Sequence, residues 1–266
     1  MHQKCERLRA WFVDAGSAAV AYSGGTDSAF LLKIAHDVLG DRAVGVTASS
    51  PSLPRADLEE AIELAIEIGA RHVLIESHEI EDPHYRENTE RRCYYCKSDA
   101  YNRIIAWAEE HRIGTVVDGT NADDLRDVRP GREAARERGV RSPLVEVGMT
   151  KDEIRSLSRE LGLRTWDKPS GACLSSRVPT GIEISPELLA TIERAEAAVR
   201  RLSGVRQLRV RHHGKIARIE IDSEEFGKLL EKREEIAREL RGLGYNFVAL
   251  DIEGFRSGSM TRRRTV

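Results

Sequence analysis

The first part of the chain alternates short apolar runs with segments of helical periodicity. The apolar runs have the length and residue types of buried strands and occupy residues 18–22, 43–48, 72–77, 115–119 and 143–147. Apolar residues at spacings of three and four predict amphipathic helices over 27–39, 54–68 and 95–111. Strands that alternate with helices predict a parallel sheet covered on both faces, which is an α/β fold.

A capping box and a turn-rich stretch follow the last of these runs. Thr150 and Glu153 have the spacing in which a hydroxyl and a carboxylate satisfy the free amides of a helix start, so a helix is predicted that ends near Gly162. The stretch D-K-P-S-G-A-C-L-S-S-R-V-P-T-G, residues 167–181, has many turn formers and little periodicity. We expect a functional loop there because it contains a cysteine.

The rest of the chain has the pattern of a second, smaller domain. Ser185 followed by Pro186 predicts the start of a helix. A charged helix and three strands follow, the strands at 208–213, 216–221 and 247–252. We therefore expect an α/β domain over residues 1–168 and a smaller α+β domain over 169–266.

Composition excludes several classes of protein. Among 266 residues, 40% are hydrophobic and 32% charged, which is the balance of a folded globular chain. No run approaches the roughly 18 apolar residues of a membrane helix, and the N-terminal M-H-Q-K-C-E-R-L-R-A is too charged for a secretory signal, so we expect a cytoplasmic protein. The net charge of -2 gives no general attraction to nucleic acid.

A glycine loop, Ser23-Gly24-Gly25-Thr26-Asp27-Ser28, joins the first predicted strand to the first helix. In this arrangement backbone amides and the helix dipole bind phosphate oxygens, and glycines let the backbone approach an anion closely. The loop lacks the lysine of a Walker A loop and does not match G-x-G-x-x-G, which disfavours P-loop kinases and nicotinamide dehydrogenases. The alternative is a tight turn in which serine and aspartate only cap the helix.

A second polar loop follows the fourth predicted strand. It contains Asp118, Gly119, Thr120, Asn121 and Asp124. Because ligands of α/β sheets bind at the carboxyl ends of the strands, this loop and the glycine loop are expected at the same edge. The alternative is a polar loop that only faces solvent.

Three of the four cysteines have the spacing of a metal centre. Cys93 and Cys96 form a C-x-x-C pair before a helix, and Cys173 lies in the turn-rich stretch. A structural zinc site takes four protein ligands, and no histidine stands at a recognisable spacing to supply the fourth. Three thiolates therefore favour a [4Fe-4S] cluster, in which one iron stays open and can bind sulfide. The alternative is that these cysteines pack in the core, which is the interpretation given to Cys5.

Basic residues are concentrated in the second domain. Arg209 and Arg211 lie two apart on a predicted strand and therefore share one face, where like charges need an anion. An arginine guanidinium can donate two parallel hydrogen bonds to a phosphate or carboxylate. Arg177 and Arg256 could contribute to the same site. The alternative is a solvated strand face balanced by glutamates.

The glycine loop, S-G-G-x-D-S, resembles the PP-loop signature of N-type ATP pyrophosphatases, which cleave ATP between its α and β phosphates. The resemblance implies an adenine nucleotide α-hydrolase-like fold. It also implies that Ser23, Gly24, Gly25 and Ser28 bind pyrophosphate and that Asp27 helps to hold Mg²⁺. The D-G-T-N segment at 118–121, which such enzymes also have, implies a nucleotide contact.

The chain resembles one branch of these enzymes, the LarE sulfurtransferases, from the glycine loop to G-F-R-S-G near its end. The resemblance is carried by R-C-Y-Y-C-K, A-C-L-S-S-R and Arg129-Pro130-Gly131. It implies sulfur transfer to pyridinium-3,5-dicarboxylic acid mononucleotide in nickel-pincer cofactor synthesis, and it supports Glu196 and the R-V-R strand as substrate contacts. Of the two forms of the family, the three-cysteine pattern favours the [4Fe-4S] form over a sacrificial Cys173.

The leading hypothesis is thus an ATP-dependent sulfurtransferase that acts on a small nucleotide and uses ATP, Mg²⁺ and a [4Fe-4S] cluster. We expect a homo-oligomer, as is common among PP-loop enzymes. One rival is a tRNA thiolation enzyme, disfavoured by an aromatic content of only 5%, because RNA binding uses aromatic stacking. The other is a non-catalytic ATP or redox sensor.

Overall fold

The computed structural model describes residues 1–126, 130–169, 171–256 and 260. The chain forms two compact units, the first from Met1–Tyr85 and Arg91–Gly171, the second from Arg86–Glu90 and Ala172–Val266. No pattern in the sequence had indicated that Arg86–Glu90 belongs with the second unit. The assignment of a separate function to each predicted domain stays a prediction.

A parallel sheet of four strands forms the centre of the first unit and confirms the predicted α/β class. Its strands are β1 (Ala18–Ala21), β2 (Ala43–Ser49), β3 (Arg71–Glu76) and β4 (Val116–Val117). The order is β3-β2-β1-β4, with Val20 of β1 beside Gly45 on one side and Val117 on the other. Residues Ala18, Ala19 and Val20 are fully buried, as expected for a central parallel strand covered on both faces.

Helices cover both faces of this sheet. In the described residues up to 160, the helices are α1 (His2–Ala15), α2 (Thr26–Leu39), α3 (Arg55–Ile68), α4 (Pro83–Arg86), α5 (Arg92–Glu110), α6 (Pro130–Glu137), α7 (Pro143–Glu146) and α8 (Lys151–Glu160), of which α2, α3 and α5 contact the strands. Val20 packs in one apolar cluster with Phe12 and Phe30, whereas its neighbour Ala19 packs in another with Tyr101 and Ile104. The three helices predicted from periodicity are confirmed, and so is the capping box at the start of α8.

The prediction of a fifth strand at 143–147 is wrong. Pro143 occupies the first turn of α7, where its fixed φ and missing amide hydrogen are tolerated. The contact with the sheet is made just before the segment, by an isolated bridge between Arg141 and Val117. A short apolar run does not distinguish a strand from a helix turn, and here the proline favours the helix.

The second unit has a small mixed sheet of its own. Strands β5 (Leu208–His213) and β6 (Ile216–Ile221) are antiparallel, and β7 (Phe247–Leu250) lies parallel to β6. In the described part of this unit, the strands are accompanied by the helices α9 (Pro186–Ser203), α10 (Phe226–Glu231) and α11 (Arg233–Gly242). The predicted single charged helix is therefore two helices. Across the described ranges, no helix is long and apolar enough to span a membrane.

Candidate active site

The glycine loop, residues 23–28, connects β1 to α2 and leaves the helix start without a side-chain cap. Gly25 is the N-cap residue of α2, and no side chain accepts a hydrogen bond from the first turn. The first amides of a helix have no partner within the helix, and the helix dipole is positive there. The loop therefore presents donors to an anion at the carboxyl edge of the sheet.

Glycine is required at position 24 for two reasons. Its φ is +67°, a left-handed conformation that costs other residues free energy. A Cβ atom at this position would also lie 2.6 Å from the Cβ of Ala61 and 2.9 Å from its Cα. The glycine loop can thus pack against α3 only because the side chain is absent.

Two serines close the glycine loop. The Ser28 hydroxyl accepts a hydrogen bond from the Ser23 amide at 3.2 Å and donates one to the Gly25 carbonyl at 3.2 Å. The two serine hydroxyl oxygens are 3.1 Å apart. The residues predicted to bind pyrophosphate therefore lie in one compact turn.

The D-G-T-N loop, residues 118–124, follows β4 and packs directly on the glycine loop. A Cβ at Gly119 would lie 3.0 Å from the Ser28 amide nitrogen and 3.2 Å from the Asp27 carbonyl carbon. The two backbones thus approach each other more closely than a side chain would allow. Both loops follow adjacent parallel strands, which explains why they meet.

The Asp118 carboxylate accepts hydrogen bonds from neighbouring protein groups. One oxygen accepts hydrogen bonds from the Tyr101 hydroxyl at 3.0 Å and the Thr120 hydroxyl at 2.9 Å, and the other from the Ser142 hydroxyl at 2.7 Å and the Thr120 amide at 3.1 Å. Burial, together with the nearby carboxylate, raises the pKa of Tyr101 well above its ordinary value and keeps it a donor. Asp118 therefore shapes the loop.

Asn121 and Asp124 also form local contacts. The Asn121 amide oxygen accepts hydrogen bonds from the amides of Asp123 at 2.9 Å and Asp124 at 3.3 Å. The Asp124 carboxylate accepts one from the Asn121 amide at 3.1 Å. These bonds lead the D-G-T-N loop into a short 3-10 helix, Ala122–Arg126, while Gly119, Thr120 and Asp124 are half-buried.

Asp27 is paired with a lysine that the sequence did not single out. The Lys151 ammonium lies 2.7 and 2.8 Å from the two Asp27 oxygens, and the Lys151 amide donates to Asp123 at 2.8 Å. Burial raises the pKa of Asp27, and Lys151 opposes that shift. A carboxylate beside a phosphate-binding loop is a ligand type that Mg²⁺ prefers, so the residues fit the predicted metal.

Cys93 and Cys96 were predicted just before a helix, but they lie inside α5, in its first two turns and three residues apart on one side of the helix. Cys93 is exposed and Cys96 half-buried, and neither forms a disulfide. The Tyr94 hydroxyl between them donates to Glu137 of α6 at 2.6 Å, which holds this turn against the neighbouring helix. Two accessible thiols at this spacing suit a shared metal centre.

Cys173 belongs to the second unit. It is the half-buried N-cap residue of a short 3-10 helix, Leu174–Arg177. Nowhere in the described part of the chain do three or more Cys, His, Asp or Glu side chains form a group that could hold a metal ion. The structure therefore describes candidate thiolate ligands without a preformed cluster site.

The predicted substrate contacts of the second unit are paired with carboxylates. Arg177 pairs with Glu196, and Arg211 pairs with Glu220, a residue that sequence reasoning missed. Arg256 pairs with Glu253 and lies 3.8 Å from Asp251. The anions that the basic strand requires thus include protein carboxylates.

Arg209 contacts a backbone carbonyl and an aromatic ring. Its guanidinium donates to the Leu208 carbonyl at 2.8 Å and lies over the Phe255 ring. Arg209 is only 7% exposed. Arg129 and the last two residues of G-F-R-S-G, which carried part of the resemblance, lie outside the described residues.

Comparison with known proteins identifies the family. No protein-family model matches the chain. It is 44% identical over 264 residues to an uncharacterised protein of Synechocystis sp.. The aligned region covers 98% of each chain. It is 38% identical over 248 residues to the pyridinium-3,5-bisthiocarboxylic acid mononucleotide synthase of Lactiplantibacillus plantarum, covering 93% of this chain and 90% of that protein.

A more distant similarity covers about two thirds of the chain. The chain is 29% identical over 204 residues to a subunit of the glutamine-hydrolysing GMP synthase of Thermoplasma acidophilum, covering 69% of this chain and 63% of that protein. This relative agrees with the parallel sheet and with the glycine loop at its edge. The chain belongs to the LarE family of enzymes, within the PP-loop superfamily.

Proposed function

We propose that this protein is an ATP-dependent sulfurtransferase that converts a carboxylate of pyridinium-3,5-dicarboxylic acid mononucleotide to a thiocarboxylate. The observation that carries the proposal is the close approach of Gly119 to Asp27 and Ser28, because it joins the two loops at which such an enzyme activates its substrate. The 38% identity to a pyridinium-3,5-bisthiocarboxylic acid mononucleotide synthase supports this substrate class.

The first step is adenylation of the substrate carboxylate. A carboxylate oxygen attacks the α-phosphorus of ATP, the bond to the β-phosphate oxygen breaks, and pyrophosphate leaves. The uncapped amides at the start of α2 lie where they can bind the charge that develops on the leaving group. We propose that Asp27, in the first turn of α2, helps to hold Mg²⁺, which would neutralise phosphate charge when bound.

The second step replaces AMP with sulfur. A carbon–sulfur bond forms, the bond between the acyl carbon and the phosphate oxygen breaks, and AMP leaves with that oxygen. We propose that Cys93, Cys96 and Cys173 hold a [4Fe-4S] cluster, which supplies an iron that can carry sulfide. The accessibility of Cys93 and the half-burial of the other two support their role as ligands. A sacrificial Cys173 is the alternative source of sulfur.

In the second unit, we propose substrate contacts from Arg209 and Arg256. The Arg256 side chain is 31% exposed, so its guanidinium is accessible to a dissolved ligand. Glu253 raises the pKa of Arg256, which therefore keeps its positive charge. We further propose that the enzyme works in the cytoplasm as a homo-oligomer on a small nucleotide.

The test is anaerobic reconstitution with iron and sulfide, followed by assays of pyrophosphate release and of thiocarboxylate by mass spectrometry. Cys93→Ala, Cys96→Ala and Cys173→Ala should each abolish thiocarboxylate formation. Cys5→Ala is the matched control because Cys5 is buried in α1 among apolar side chains, and it should keep full activity. Undiminished activity in all three variants would end the cluster proposal.

The same assay separates the rival functions. Pyrophosphate release that depends on unmodified tRNA and not on the pyridinium nucleotide would favour tRNA thiolation. ATP binding without formation of AMP, across candidate carboxylates, would favour a sensor. Either result would contradict the proposed substrate.

A further inference from the structure

Two buried arginines of the second unit donate hydrogen bonds to the backbone around Cys173. We propose that Arg177, Glu196 and Arg211 are positioning residues, which set the direction of the Cys173 thiol and do not bind the substrate. The inference rests on the proposed function in one respect, that Cys173 takes part in sulfur transfer. The Cys173 loop is defined as residues 172–177.

Arg177 contacts both sides of Cys173. Its Nη1 donates to the Ala172 carbonyl at 2.5 Å, the Cys173 carbonyl at 2.9 Å and the Ser176 hydroxyl at 3.0 Å. The residue is 2% exposed. These acceptors belong to the Cys173 loop itself, so the guanidinium is surrounded by the segment that carries the thiol.

Glu196 fixes the orientation of that guanidinium. Its two oxygens accept from Arg177 Nε at 2.9 Å and Nη2 at 3.1 Å, and the first also accepts from the Val210 amide at 2.9 Å. A planar fork that is paired on one edge presents its remaining donors in a fixed direction. These bonds fix the position of the Cys173 loop relative to α9, which carries Glu196, and β5, which carries Val210.

Arg211 repeats this arrangement on the other side of the loop. Its Nε and Nη2 donate to one oxygen of Glu220 at 2.9 and 2.8 Å, and its Nη1 donates to the Ser176 carbonyl at 3.1 Å. Glu220 is fully buried. Two arginines from separate elements therefore each use a paired carboxylate and donate outward to the Cys173 loop.

Stability alone does not explain two buried ion pairs. Removing charges from water costs several kcal/mol per ion, and well-packed apolar side chains are often as stable. One attested role of such buried pairs is to specify a single geometry. Here the geometry that they specify is the backbone on both sides of Cys173.

Positioning and substrate binding predict different losses. If these arginines bind the substrate, their removal stops adenylation, and pyrophosphate release falls together with thiocarboxylate formation. If they position Cys173, adenylation continues and only sulfur transfer falls. Substrate binding also gives no reason for the reactivity of Cys173 to change when no substrate is present.

The experiment uses the full chain with Arg211→Lys, Glu196→Gln and Arg177→Met. Arg211→Lys keeps a positive charge beside Glu220 and removes the fork that reaches the Ser176 carbonyl. Glu196→Gln keeps the volume and removes the charge. Arg201→Met is the matched control because it breaks an exposed pair with Glu239 in the same unit. Each variant is first checked for its unfolding temperature.

Pyrophosphate release should stay within about twofold of the unchanged protein, while thiocarboxylate formation falls roughly tenfold, the expected effect of one lost hydrogen bond to a charged group. In cluster-free protein without substrate, iodoacetamide should alkylate Cys173 roughly tenfold faster, since the thiol is half-buried when the loop is held, and Cys93 should react at an unchanged rate. The inference would be overturned if the release of pyrophosphate and the formation of thiocarboxylate fell together while the rate of Cys173 alkylation stayed unchanged.

Two further outcomes also decide the matter. If Arg177→Met does not fold, Arg211→Lys serves as the deciding variant because its ion pair remains. If the unchanged protein releases no pyrophosphate with the pyridinium nucleotide, the proposed function fails, and alkylation then tests the positioning role by itself. An unchanged Cys173 rate in Arg211→Lys and Glu196→Gln would refute it.

Discussion

Replacing Gly119 with alanine tests the contact that joins the two loops. The added Cβ would lie 3.0 Å from the Ser28 nitrogen and 3.2 Å from both the Asp27 carbonyl carbon and the Ser28 Cα. All three are backbone atoms at the start of α2, so no side-chain rotation can relieve the contact. Gly119 has no positive φ, which means that packing alone is perturbed.

The expected cost follows from two opposing effects. Overpacking of this kind costs about 1–3 kcal/mol, and loss of glycine freedom in the unfolded chain returns about 0.4–1 kcal/mol. A net loss of about 1–2 kcal/mol lowers the unfolding temperature by roughly 2–8 °C for a unit of this size. A shift of a few tenths of an ångström between the loops should also weaken ATP binding by roughly 3- to 10-fold.

Calorimetric titration with a non-hydrolysable ATP analogue and thermal unfolding measure the two effects. Gly114→Ala is the control, because its Cβ would have only the Ser17 hydroxyl at 3.6 Å and its φ is not positive either. That variant should keep its affinity for the analogue and its stability. Unchanged affinity and stability in Gly119→Ala would show that the two loops do not depend on this approach.

Three further results are expected. Lys151→Met removes the cation that occupies Asp27, so Mn²⁺ should bind more tightly without nucleotide in an electron paramagnetic resonance titration; weaker binding would contradict this. Thr150→Ala removes a helix cap and should cost about 1 kcal/mol in urea unfolding, with no effect expected on the cysteines. Burial lowers the pKa of His72 in the folded protein, so the unfolded protein takes up this proton at a higher pH. The free energy of unfolding should therefore fall below about pH 6.5. His72→Asn should reduce this fall, and an equal dependence of stability on pH in both proteins would refute the reasoning.

Much of the fold could be predicted because apolar periodicity encodes burial directly. The strands β1, β2 and β3 and the helices α2, α3 and α5 fall where the pattern places them. Helix α6 was missed because its buried residues, Ala134 and Ala135, are alanines, which give a weak hydrophobic signal. The run at 143–147 failed because four apolar residues fit a helix turn as well as a strand.

The site could be predicted only as far as the topology determines it. The glycine and D-G-T-N loops meet because adjacent parallel strands end at the same edge. Lys151 contacts Asp27 across 124 residues of sequence, and no local pattern encodes such a contact. Alternation placed Arg209 and Arg211 on one face, but the carboxylate that pairs with Arg211 depends on the register of β5 and β6. The shared metal centre of the three cysteines stays a prediction.

The hydrogen bond from Val210 to Glu196 also has a consequence for self-association. Strand β5 forms one edge of the small sheet, and an open edge offers unpaired amides as a template on which another chain can add a strand. The Glu196 carboxylate accepts a hydrogen bond from one of those amides, that of Val210. The residue that orients Arg177 therefore also makes one amide of this sheet edge unavailable to an added strand.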